Sequence, residues 1–203
     1  MTFISPFTAI IAGGTGTGKT KWLINFIDKL DNFTEPKSIL YCYSEINKDI
    51  MSLKSKGIEV YNGVPTKEEI LQKPKNLLLI LDDLVDEIDP KFLDVLYTRG
   101  SYHWNVSVIL VTQNLFDKNI KTARINSHVL ILLKNPQGLL QIRTLGQHLF
   151  PGKLQYFMEA YNDAVEKKNY GYLVINMHPN VEDNYRLSTN IFPDENTTLY
   201  LPI

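Results

Sequence analysis

The chain has 203 residues, of which 44% are hydrophobic and 21% charged, with a net charge of -1. That balance excludes a disordered chain and a generally basic nucleic-acid binder, and fits one globular domain spanning 1–203 with a substantial core. Cys42 is the only cysteine, which excludes an intramolecular disulfide and a thiolate zinc cluster and suits a reducing compartment.

Charge is uneven along the chain. From Tyr61 to Thr98 there are four Lys/Arg against eight Asp/Glu, whereas Leu115 to Tyr170 carries eight Lys/Arg against four acids. A local basic face and ordinary solvated charge both fit that distribution. The opening Met1-Thr2-Phe3-Ile4 has no basic leader, and no stretch reaches the roughly eighteen apolar residues of a membrane span. A soluble, non-secreted protein is the expectation.

The first apolar run, Phe7 to Ala12, leads into Gly13-Gly14-Thr15-Gly16-Thr17-Gly18-Lys19-Thr20, and then into the helical spacing Trp22, Leu23, Phe26, Ile27, Leu30 over 19–30. Strand, glycine-rich loop and helix in that order form a phosphate-binding loop. Its four glycines let the backbone curl so that successive amides face phosphate oxygens, and the helix N-terminus adds partial positive charge. Lys19 is expected to reach the β- and γ-phosphates of ATP, and Thr20 to ligate Mg²⁺.

Strands are expected at 38–43 and 58–61, with a helix starting near Ser44 and Glu45 between them and another at Thr66, where Thr66-Lys67-Glu68-Glu69 reads as a capping box. Asn47-Lys48-Asp49-Ile50 lacks the last aspartate of the guanine-reading motif, which argues against a GTPase. Leu77 to Asp83 is five apolar residues followed by two carboxylates, the pattern of a buried strand that delivers acids to the sheet edge. Asp82 is expected to hold the Mg²⁺ that Thr20 touches, and Asp83 to orient or polarise the attacking water.

Asp89-Pro90 predicts a helix start, and Arg99-Gly100 a basic last turn with a glycine cap. Val106 to Thr112 predicts another buried strand ending in Gln113. On spacing alone that glutamine fits a sensor of the γ-phosphate and a turn-forming Gln-Asn pair equally well. Strands at 129–133 and 172–176 and a helix over 154–168 follow. The tail 181–203 predicts an edge strand or hairpin and then an extended arm, lying on its own domain or docking between subunits. Alternating strands and helices give an α/β fold, a mainly parallel sheet with helices on both faces.

With these motifs in place the chain resembles the FtsK/HerA superfamily of ring-forming DNA-pumping ATPases. Within it, Thr98-Arg99-Gly100, Val111-Thr112-Gln113-Asn114-Leu115-Phe116, Asn126-Ser127-His128, Lys134-Asn135-Pro136 and Ile142-Arg143-Thr144-Leu145 are similar to the viral genome-packaging ATPases of Maverick/Polinton elements, adintoviruses and virophages, and more distantly of poxviruses. The similarity runs from about Ala9 to Phe192.

The resemblance implies a three-layer P-loop sandwich of the additional-strand type. It also implies a homo-oligomeric ring, pentamer or hexamer, that hydrolyses ATP with Mg²⁺ at subunit interfaces and drives double-stranded DNA into a capsid or portal vertex. The host viral factory and the virion are the implied locations. Carried over, Gly13 to Thr20 bind nucleotide, Asp82 and Thr20 hold metal, and Lys19, Asp83 and Gln113 serve catalysis. Many relatives have Glu where this chain has Asp83, whose shorter side chain leaves the base less complete.

An interfacial ATPase also needs a cation from the neighbouring subunit, worth on the order of 10³ to 10⁵ in rate. Arg99 is the first candidate, with Arg124 and Arg143 in reserve. Lys118, Lys121 and Arg124 are candidates for DNA phosphate contacts. A small-molecule kinase and a non-hydrolysing, nucleotide-stabilised assembly protein remain the alternatives.

Overall fold

Residues 3–166 and 168–202 are described by a computed structural model, in which nine strands and eight α-helices alternate along the chain. In chain order these are β1 (Thr8–Ala12), α1 (Lys19–Asp28), β2 (Ser38–Tyr43), α2 (Lys48–Ser55), β3 (Glu59–Asn62), α3 (Lys67–Leu71), β4 (Leu77–Asp82), α4 (Pro90–Val95) and α5 (Ser101–Trp104). Then follow β5 (Val106–Thr112), α6 (Lys121–Ile125), β6 (Val129–Leu133), α7 (Leu139–Leu149), α8 (Leu154–Glu166), β7 (Tyr172–Asn176), β8 (Leu187–Thr189) and β9 (Thr198–Tyr200).

The strands form one sheet in the order β3-β2-β4-β5-β1-β6-β7-β8-β9. Pairing is parallel from β3 through β6 and antiparallel from β6 through β9. Strands β1, β5 and β6 are buried along their whole length, as central strands covered on both faces must be. Alternate residues feed two cores. Leu79, Leu81, Val108, Leu110 and Leu132 pack under helices that include α4, α7 and α8, whereas Leu78, Ile80, Ile109, Val111 and Ile131 pack against α1 and α2. A fully parallel register such as Asp82↔Val111 and Ala12↔Thr112 brings the ends of β4, β5 and β1 level at one edge of the sheet.

As the additional-strand type implies, one strand lies between the loop strand β1 and the acidic strand β4: it is β5, which carries Gln113 at its end, while Ser38–Tyr43 lies on the far side of β4. Other expectations shift. The helix expected near Ser44 starts at Lys48, because Asn47 Oδ1 accepts from Ile50 N at 3.0 Å and caps it there. The Thr66 capping box is present as expected.

Gly100 does not end the helix after β4. Its φ of -63° is helical, and the chain passes through a π-helical turn, Leu96–Gly100, into α5, which ends at Asn105 with φ 54°. A Cβ at Gly100 would lie 3.0 Å from both the Trp104 ring and Val95 O, so close packing and not capping favours the glycine. Asparagine tolerates the left-handed region that ends a helix.

Helix α7 has no counterpart among the expected elements; the spacing Ile142, Leu145, Gly146, Leu149 is the signal that marks it. The expected end of the 154–168 helix includes Lys167, which lies outside the described residues. The tail lies on its own domain: β8 and β9 extend the sheet, and Ile191 and Phe192 are buried, Phe192 among Trp22, Phe33 and Tyr172.

Candidate functional site

The loop 13–20 joins β1 to α1 at the level sheet edge. Gly16 and Gly18 adopt φ 75° and 99°, left-handed values that a side chain resists, so the curl depends on glycine. Gly18 carries a second constraint, since a Cβ there would lie 2.4 Å from Tyr170 Cδ1. Tyr170, itself at φ 65°, covers this last turn of the loop, with Lys21 Nζ 4.1 Å from its ring centroid. Thr17 Oγ1 donates to Gly14 O at 2.7 Å, and Gly14 N donates to Lys134 O at 3.2 Å, which ties the Lys134-Asn135-Pro136 stretch to the loop.

Lys19 Nζ donates to Gly13 O and Gly14 O at 2.9 and 3.0 Å, so the ammonium lies folded over the loop it serves. Burial lowers its pKa, and Asp83 and Asp82 oppose that by favouring the charged form. Asp82 ends β4 on the face of the sheet that carries α1. Tyr41 Oη, from the adjacent strand, donates to Asp82 Oδ2 at 2.5 Å. Burial raises the Asp82 pKa and the neighbouring Asp83 charge adds to this, while the Tyr41 bond and Lys19 pull it back. Asp83 follows with φ 57°, a turn that lets two consecutive acids, which an extended chain would send to opposite faces, line the same cavity.

Gln113 stands exposed at the end of β5, and its Oε1 accepts from Thr15 Oγ1 at 2.9 Å. One cavity of about 440 Å³ is lined by Thr15, Lys19, Thr20, Asp82, Asp83 and Gln113, and also by residues 43–45 and 47 from the end of β2. The expected nucleotide and acidic motifs therefore meet in one cleft. Thr20 and Asp82 offer hard oxygen donors to a divalent cation. Among the described residues no group of three or more His, Cys, Asp or Glu side chains forms a metal cage, and Mg²⁺ prefers one or two protein oxygens completed by water and phosphate.

The remaining candidates lie elsewhere. Arg99 is exposed on the π-helical turn and borders a separate groove with Phe92, Val95, His103 and Trp104, outside its own chain's cleft. Arg124 is engaged within its own fold: Nη1 donates to Leu115 O at 2.8 Å and the guanidinium lies 4.1 Å over the Phe116 ring. Arg143 is exposed on α7, and Lys118 and Lys121 are exposed beyond β5. Asn126-Ser127-His128 sits at the opposite end of β1 from the loop, where Thr8 N donates to His128 Nδ1 at 3.1 Å and Thr8 Oγ1 to Asn126 O at 2.9 Å. Tyr41, Tyr170 and the 43–47 segment are not legible in the sequence as parts of the site, because strand neighbours and a loop crossing put them there and no local spacing encodes either.

These features define the P-loop nucleoside-triphosphatase fold in its additional-strand form. No family model matches the sequence, and no curated protein matches it. The genome packaging NTPase B204 of Sulfolobus turreted icosahedral virus 2, solved in complex with sulfate, matches with a TM-score of 0.60 at 15% identity over 99% of this chain and 98% of its own. The same protein in complex with ATP-gammaS matches at 0.58, again at 15% identity, over 99% and 100%. EssC (ATPases 2 and 3) from Geobacillus thermodenitrificans matches at 0.60 and 13% identity over 97% of this chain but 40% of its own. The chain thus has the fold of the B204 genome-packaging NTPases, and the expected likeness to FtsK/HerA-type ATPases is borne out at the level of fold.

Proposed function

We propose that the chain is an ATP-hydrolysing motor subunit that assembles into a homo-oligomeric ring and drives double-stranded viral DNA into a preformed capsid. The convergence of the loop, Asp82, Asp83 and Gln113 on one cleft carries this reading, within a fold shared over nearly its full length with a packaging NTPase. The position of β5 between β1 and β4 argues against the small-molecule kinase, which keeps its acidic strand beside the loop strand.

Loop amides and the N-terminus of α1 hold the phosphates, and Lys19 exchanges the carbonyls of Gly13 and Gly14 for β/γ-oxygens. Thr20 and Asp82 hold Mg²⁺, which neutralises charge on the phosphates when bound. Asp83 and Gln113 orient water at the γ-phosphate. Arg99, unused by its own cleft, serves that of a neighbour.

ATP turnover of the native chain and of Lys19→Ala, each with and without double-stranded DNA, tests the reading. Turnover that DNA stimulates and Lys19→Ala abolishes supports it; a native chain that binds ATP without turnover refutes it in favour of an assembly role.

A further inference from the structure

The carboxylate pair at the end of β4 lines the cleft, and Asp83, the candidate partner of the water, has a short side chain set on a left-handed backbone. A third carboxylate faces the same cleft. Register pairs Tyr43 of β2 with Asp82 of β4, so the chain leaving β2 arrives level with the acids, and Glu45, two residues on, lines the cavity with Lys19, Thr20, Asp82 and Gln113.

The segment that presents it is held at both ends. Gly63 N donates to Tyr43 O at 2.8 Å, Asn62 Nδ2 donates to Ser44 O at 3.1 Å, and Ser44 Oγ donates to Glu87. Two residues beyond Glu45, Asn47 caps α2. Between these anchors Glu45 is exposed and its carboxylate makes no hydrogen bond or ion pair with another described residue. An anchored backbone carrying a free carboxylate into the cleft that holds the phosphate-binding loop is the arrangement a general base requires.

We infer that Glu45 is the catalytic base of hydrolysis, which deepens and rests on the ATPase reading above. The attacking water gives a proton to the Glu45 carboxylate while its oxygen bonds the γ-phosphorus. The bond from that phosphorus to the β–γ bridging oxygen breaks, and its electron pair leaves with ADP. Glu45 then returns the proton to solvent or to the released phosphate.

The test compares native chain, Glu45→Gln and Asp83→Asn for ATP turnover with double-stranded DNA present, for ATP-gammaS affinity and for melting temperature. Glu45→Gln is expected to lose about 100-fold or more in kcat, the lower end of the range for a general base. Its melting temperature and its ATP-gammaS affinity should match the native chain, because the side chain is exposed and unbonded. Near-native turnover in Glu45→Gln overturns the assignment, and so does a loss of nucleotide affinity that accounts for the whole defect. Native turnover separates the two assignments: its absence sinks the ATPase reading as well, whereas its presence with an active Glu45→Gln removes only Glu45.

Discussion

Tyr41 Oη donates to Asp82 Oδ2 at 2.5 Å across the β2–β4 pair, and this bond commits one oxygen of the Asp82 carboxylate to the protein. The other oxygen stays available to the proposed Mg²⁺ or its water. Tyr41 is fully buried, so the phenol cannot drift from that position.

Removing the hydroxyl in Tyr41→Phe takes away a donor that favours the Asp82 carboxylate and leaves burial, which disfavours it, unopposed at that oxygen. A hydrogen bond to a charged group is worth about 1.5–3 kcal/mol. Mg²⁺-dependent affinity for an ATP analogue is expected to fall by roughly tenfold, the equivalent of about 1.4 kcal/mol. Calorimetric titration with and without Mg²⁺ checks this, since equal losses in both would place the effect on the fold and not on the metal side.

Gly18→Ala meets two penalties at once: φ 99° and a Tyr170 atom 2.4 Å from the new Cβ. Overpacking and left-handed strain together are expected to cost about 2–6 kcal/mol and to distort the loop enough to abolish nucleotide binding. Adding Tyr170→Ala removes the clash but not the strain, so the double variant should recover only part of the stability in thermal melts.

Arg99 and Arg124 are expected to separate cleanly. Arg124→Ala loses the bond to Leu115 O and the stacking over Phe116, a loss of about 1–2 kcal/mol and hence a melting temperature lower by about 2–8 °C. Arg99→Ala should melt within about 0.5 kcal/mol of native, bind ATP normally and lose turnover. Mixing Arg99→Ala with native subunits should depress activity more steeply than dilution does; a linear response would remove Arg99 from a shared site.

His128 links stability to pH. Its Nδ1 accepts from Thr8 N, which only the neutral ring permits, and burial, together with the His178 ring 5.1 Å away, holds its pKa below the usual 6.5. A lowered folded pKa means that the unfolded chain binds the proton more readily. This contribution is therefore complete above pH 6.5 and is lost as the pH falls from there through the folded pKa. Thermal melts at descending pH should show that loss, and His128→Asn, which keeps an acceptor without a titrating ring, should reduce it.

Lys118→Glu with Lys121→Glu tests the DNA surface. If both meet phosphates, the slope of log affinity against log salt should flatten by about one for each lysine–phosphate pair removed. An unchanged slope would move the DNA path elsewhere.

Elements whose physics is local are legible in the residues alone. Glycines followed by Lys19 and Thr20 specify a curled anion-binding turn, the apolar run Leu77 to Leu81 specifies a strand buried on both faces, and Thr66 with Glu69 specifies a helix start. Each depends on neighbours within a few residues, so spacing carries the information.

Whatever depends on which strands lie side by side is settled only by the folded chain. The insertion of β5 between β1 and β4 brought Gln113 to the loop, while the β2–β4 pair delivered Tyr41 to Asp82 and Glu45 to the cleft. The fold also turned Gly100 from a cap into a packing glycine, placed Tyr170 over Gly18, and set Asn126-Ser127-His128 at the far end of β1 as a structural clasp. Strand order reflects the global balance of buried area and crossover connections, a sum over the whole chain that no short window of residues contains.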